Sequence, residues 1–105
     1  MKIVHSNKIY EVLESIEKKP EIWLTEKSIT SLQNFLNGFL TAKSKDLVYK
    51  KGEPTFDEFK YWILNKNAKI SGIGNPYSRV LLAECNGNEK KAFDLFFKYL
   101  AEFKK

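Results

Sequence analysis

The sequence predicts an all-α fold, a single domain spanning residues 1–105 and built as a compact bundle of about five short helices. Three observations lead there. Large apolar residues recur at Ile29, Leu32, Phe35, Leu36, Phe39 and Leu40, and again at Ala92, Phe93, Phe96, Tyr99, Leu100 and Phe103. That spacing marks one face of an α-helix. Residues that favour helix starts, Ser28, Thr55 and Asn88, stand just ahead of such stretches. The one run that also reads as a strand, Arg79 to Ala83, has no evident partner strand. A chain of 105 residues holds one core and is too short for two. With 43% hydrophobic residues and eight Phe it has the material to fill that core, which argues against disorder.

The first helix is expected from about Asn7 to Lys18. Ile9, Val12, Leu13 and Ile16 form its stripe, while Glu11, Glu14, Glu17 and Lys18 face water. Asn7 suits its N-cap, and Pro20 stops it by pushing the preceding residue out of the helical region. Ile22, Trp23 and Leu24 follow in a short loop, and three bulky apolar residues together predict a plug into the core. The other reading of Trp23 is a contact for a partner, because Trp is enriched at binding hot spots. Ser28 caps the second helix. Gly38 inside it costs about 1 kcal/mol against Ala, so its place beside Phe35 and Phe39 predicts close approach of another backbone within the fold.

Lys43 to Lys51 is the most polar connection, with Lys43, Lys45, Lys50 and Lys51 against Asp46 alone; Gly52 and Pro54 close it. It reads as a solvated loop tacked down by Leu47, Val48 and Tyr49, or as a cationic binding edge. Thr55-Phe56-Asp57-Glu58 is a capping box, in which Thr55 and Glu58 satisfy each other's free N–H groups. The third helix then buries Phe56, Phe59, Trp62 and Ile63 and frays at Asn65-Lys66-Asn67. After a turn-rich break from Ser71, Asn75 as cap and Pro76 at the first helical position open a short fourth helix, ending at Cys85. Asn86-Gly87-Asn88 ends it, and Asn88 caps the last helix. That helix runs to Phe103, and its wide stripe predicts a central place against the second.

The catalytic residue types are sparse. His5 is the only His, which excludes a two-His metal site or a His dyad. Cys85, at the end of an apolar segment, reads as a small buried thiol, and a single Cys forbids an internal disulfide. Gly72-Ile73-Gly74 is half of a dinucleotide-loop pattern, but Tyr77 stands where the third Gly belongs, so it reads as a turn. Asp57 and Glu58 point to different sides of a helix and serve as first-turn charges complementing its dipole. No catalytic, cofactor-binding or metal site is predicted, and the chain does not read as an enzyme. Nothing near Met1 resembles a signal peptide, and no apolar run approaches the roughly 20 residues of a membrane span. A cytoplasmic location is expected.

The charge is +5, from 18 Lys and Arg against 13 Asp and Glu, and all cations but Arg79 are Lys. Acidic residues are interleaved almost throughout, as on a solvated surface. A small basic nucleic-acid-binding helical domain is the alternative, but one Arg leaves little for bidentate contacts.

The run Ser15-Ile16-Glu17-Lys18-Lys19-Pro20-Glu21-Ile22-Trp23-Leu24, with Ser28-Ile29 and Leu32-Gln33-Asn34-Phe35-Leu36-Asn37-Gly38-Phe39, resembles a bacterial family of small helical proteins. Their pattern is an Arg-Pro-x-Met-Tyr-Leu-Gly loop, then a Ser-Leu helix ending in Leu-x-Gly-Tyr. The similarity continues through Phe56, Phe59 and Trp62 into Asn88–Phe103. Lys19, Ile22, Trp23 and Thr25 stand where the family has Arg, Met, Tyr and Gly. These are immunity proteins of polymorphic-toxin systems, including contact-dependent growth inhibition. The resemblance implies that this chain binds one cognate toxin domain in the cytoplasm and blocks its active site or folding surface, with no catalytic residue or cofactor of its own. The interface is expected among exposed Tyr, Arg and Lys side chains: Lys43, Lys45, Tyr49, Lys50, Lys51, Tyr77 and Arg79. A charge of +5 implies acidic residues on the toxin face, and so binding away from a nuclease cleft, or a toxin that is not a nuclease.

Overall fold

Six helices follow one another in the computed structural model, which describes residues 8–43, 45–66 and 76–104. They are α1 (Ile9–Lys18), α2 (Pro20–Trp23), α3 (Ile29–Lys43), α4 (Phe56–Lys66), α5 (Tyr77–Glu84) and α6 (Glu89–Phe103), with no strand among the described residues. Arg79 to Ala83 is helical. The helix beyond the expected set is α2, one turn long, where the sequence reading has a loop. Pro20 ends α1 but also occupies the first position of α2, a place where its missing N–H costs nothing.

The long helix α6 is the hub and packs against α3, α4 and α5, while α3 also lies on α5. Ala92, Phe93, Phe96, Tyr99 and Leu100 are buried as expected, and so is Phe97. Aromatic rings fill the middle. Phe59 meets Phe96 edge-on at 5.3 Å and Phe103 at 5.2 Å, and Phe56 meets Tyr77 at 6.3 Å. Leu13, Ile16, Ile29, Leu32, Leu36, Ile63 and Leu81 close the core around them. Each such side chain contributes about 1.5–3 kcal/mol by leaving water. Trp62 is only partly buried, packing on Phe59 and Tyr99 with Lys66 over its ring.

The helix starts divide into local and long-range caps. The Thr55–Glu58 box forms both of its bonds, at 3.0 and 3.2 Å. Asn88 Oδ1 accepts from the Lys91 N–H at 2.9 Å, and Ser28 Oγ accepts from the Ser31 N–H at 3.1 Å. The start of α5 differs from expectation: Pro76 is the cap residue, not the first helical one, and it has no side-chain acceptor to offer. Gln33 of α3 supplies it instead, its Oε1 accepting from the Ser78 N–H at 3.1 Å. Between α5 and α6 the chain turns through Asn86 at φ 54° and Gly87 at φ 80°, left-handed values that Asn and Gly tolerate best.

Three other expectations are corrected. Only Leu24 of the Ile22-Trp23-Leu24 run enters the core; Trp23 is partly buried and Ile22 is 50% exposed, because α2 lies on the surface of the bundle. Gly38 has no close neighbour among the described residues: a Cβ there would meet none of their atoms within 4 Å. α1 begins at Ile9 with Lys8 at its cap, and the expected caps Asn7 and Asn75 lie outside the described residues, as do His5 and the Gly72-Ile73-Gly74 turn. No described helix is long and apolar enough to cross a membrane.

Candidate partner-binding surface

Several titratable side chains hold helices together. Glu89, the first residue of α6, reaches the start of α3. Its Oε1 accepts from Ser28 Oγ at 2.8 Å and from the Thr30 N–H at 2.9 Å, and its Oε2 accepts from Thr30 Oγ1 at 2.7 Å. Burial pushes this carboxyl up, but the hydrogen bonds from Thr30, Ser28 and Ile29 outweigh it and hold the group below the usual carboxylate range. Tyr99 Oη donates to Glu84 Oε1 at 2.8 Å, and burial raises the phenol, with Glu84 adding to the shift. Cys85 is partly buried. Burial and the nearby Glu84 raise its thiol, against a smaller opposing pull from Lys91, which keeps it protonated and a poor nucleophile. Among the described residues no three His, Cys, Asp or Glu side chains gather as metal ligands do.

The residues expected to touch a partner separate. Lys43 closes α3, and Lys45 follows it, exposed, in the next turn. Lys50 and Lys51 are exposed at the far end of the connection. There Glu53 accepts from the Lys50 N–H and lies 3.6 Å from Lys104 at the end of α6. Tyr10 of α1 fastens the same end, its hydroxyl donating to the Pro54 carbonyl at 2.8 Å. Arg79 is exposed on α5. The two tyrosines are not free surface groups. Tyr49 is partly buried, with its ring edge-on to Tyr10 and its hydroxyl accepting from the Phe56 N–H at 3.0 Å. Tyr77 is only 6% exposed, wedged between Phe56 and Phe96, and its hydroxyl has no hydrogen-bond partner among the described residues. The expectation of an exposed Tyr77 is therefore corrected: it points inward from the first turn of α5.

The surface has a feature that the expected set lacks. A groove of about 410 Å³ runs along the outer flank of α3, lined by Asn34, Phe35, Gly38, Phe39, Ala42 and Lys43. Its walls are almost wholly apolar. Phe35 and Phe39 stack at 6.3 Å, and Trp23 meets Phe35 edge-on at 5.8 Å, so α2 with exposed Ile22 extends the apolar strip. A second hollow, of about 470 Å³, lies by Gln33, Asp57, Tyr61 and Tyr77 and has mixed polarity.

The sequence carried a signal for the first groove. At 100° per residue the apolar stripe of α3 is about 140° wide, and Phe35 stands at its edge beside Gly38 and Ala42. Comparison with protein-family models, with characterised proteins and with solved structures returned no match.

Proposed function

We propose that this chain is an immunity protein that neutralises a cognate toxin domain by binding it. The observation that carries the reading is the apolar strip formed by α2 and the outer flank of α3, in the same Ser15–Leu40 stretch that bears the family resemblance. A soluble helical domain gains nothing in its own fold from leaving Ile22 and part of Trp23 in water, whereas a partner that covers them removes apolar area at roughly 25 cal/mol per Å². Aromatic anchors such as Trp23 and Phe35 are the residue types that dominate binding energy. Lys43 and Lys45, beside the strip, contribute attraction to acidic groups, which raises the association rate more than the final affinity. Inhibition of this kind is steric and asks for no reacting group.

The test is survival. The protein encoded by the reading frame immediately upstream is expressed with this chain or with an empty plasmid. Protection by the chain is the expected result; equal killing in both strains removes the reading.

A further inference from the structure

Gly38 is the residue that the fold itself does not explain. It stands in the middle of a 15-residue helix, where Gly is about 1 kcal/mol worse than Ala. The usual reason for accepting that cost is a neighbouring backbone packed too close for a Cβ. Here no atom of the described residues outside its own helix lies within 4 Å of a Cβ at that position, and Gly38 is exposed. The floor is instead open to solvent, with Ala42 one turn further along, Phe35 and Phe39 as an aromatic wall, and Lys43 at the C-terminal end. A floor of Gly and Ala between larger walls is the shape that receives another helix, because small residues let two axes approach to the short end of the 8–10 Å range.

We infer that the groove over Gly38 receives one amphipathic helix of the partner protein, its apolar face on Gly38 and Ala42 and its acidic end toward Lys43 and Lys45. Charge decides the occupant and its direction. Lys43 lines one end of the groove and exposed Lys45 follows it in the next turn. A helix laid along it is favoured with acidic residues at that end. A second copy of this chain is disfavoured by the +5 charge that both copies carry. The mixed hollow beside Tyr61 is the weaker candidate, since Gln33, Asn37, Asp57 and Lys60 line it and leave no continuous apolar face to cover.

This inference rests on the immunity reading, and the experiment separates the two. The purified protein encoded by the upstream reading frame is titrated with the wild-type chain, with Gly38→Gln and with Lys43→Glu/Lys45→Glu. Gln is a good helix former and its Cβ meets none of the described residues at this exposed position, so Gly38→Gln folds and melts at or above the wild type. It nevertheless puts a side chain on the groove floor, and overpacking of that kind weakens binding about tenfold or more. The double reversal weakens binding roughly two- to fivefold per lysine at low salt, and the loss shrinks at high salt. Wild-type binding together with these two losses supports the inference. Wild-type binding that Gly38→Gln leaves unchanged overturns the groove but leaves the immunity reading standing. No wild-type binding removes that reading and the inference with it. Sedimentation of the chain alone completes the test: concentration-dependent dimerisation that Gly38→Gln abolishes would assign the groove to a second copy instead.

Discussion

Replacing Glu89 by Gln tests how the two long helices are joined. The carboxylate receives three hydrogen bonds, at 2.7 to 2.9 Å, from Ser28 and Thr30 at the start of α3. It also places a negative charge at the positive end of that helix. Gln keeps the shape and one acceptor but turns an amide NH₂ toward the Thr30 hydroxyl, so that bond must reverse and all three lose their charge assistance. Each bond at this partly exposed site is worth about 0.5–1 kcal/mol, and the helix-end charge adds about 0.3–1 kcal/mol. The expected loss is about 1–2 kcal/mol, or roughly 5–10 °C in melting temperature for a domain of this size. Thermal unfolding followed by circular dichroism measures it.

The pH dependence gives a second check. The carboxyl sits lower in the folded chain than in the unfolded one. Its contribution is therefore complete above the unfolded value and lost as pH falls through the folded value. The gap between wild type and Glu89→Gln should narrow only in that acidic range. A variant that melts with the wild type at neutral pH would show that Glu89 does not join α6 to α3 in solution.

Tyr77→Phe removes a buried hydroxyl that has no partner among the described residues, so the stability measured by urea unfolding should be unchanged or higher, by up to about 1 kcal/mol; a clear loss would mean that the hydroxyl is bonded. Tyr10→Phe removes the bond to the Pro54 carbonyl and should cost about 1 kcal/mol, with faster amide exchange across the connection between α3 and α4 as the accompanying sign. Phe59→Ala empties a fully buried site among Phe56, Trp62, Phe96 and Phe103. It should cost about 3–5 kcal/mol, a large part of the stability of such a domain, and calorimetry would show a melting temperature lower by roughly 15–25 °C.

What was legible in the residues was what acts locally. The capping box at Thr55 and the cap at Asn88 rest on contacts three residues apart, and the stripes of α3 and α6 repeat every turn, so sequence spacing specifies them directly. The Glu89 and Gln33 caps join residues 59 to 61 and 45 positions apart, and nothing near either residue announces its partner. Pro20 was ambiguous in principle, because a proline both ends one helix and begins the next. Spacing also said which face of α3 is apolar without saying which part of it the bundle covers. By spacing Gly38 therefore reads as an internal contact, although its side of the helix faces solvent. Tyr77 reads as a surface residue by type, although the first turn of α5 points it at Phe56 and Phe96.

In the proposed function this chain grips another protein through the apolar flank of α3, with lysines guiding the approach. Calorimetric titration with the protein encoded by the upstream reading frame, repeated at several temperatures, separates that from pairing of surface charges alone. A binding heat that grows more negative on warming, and an affinity that survives high salt, is the expected result, because burial of apolar surface carries a negative heat-capacity change. Binding with no such change that vanishes at high salt would contradict the claim and leave only pairing of surface charges.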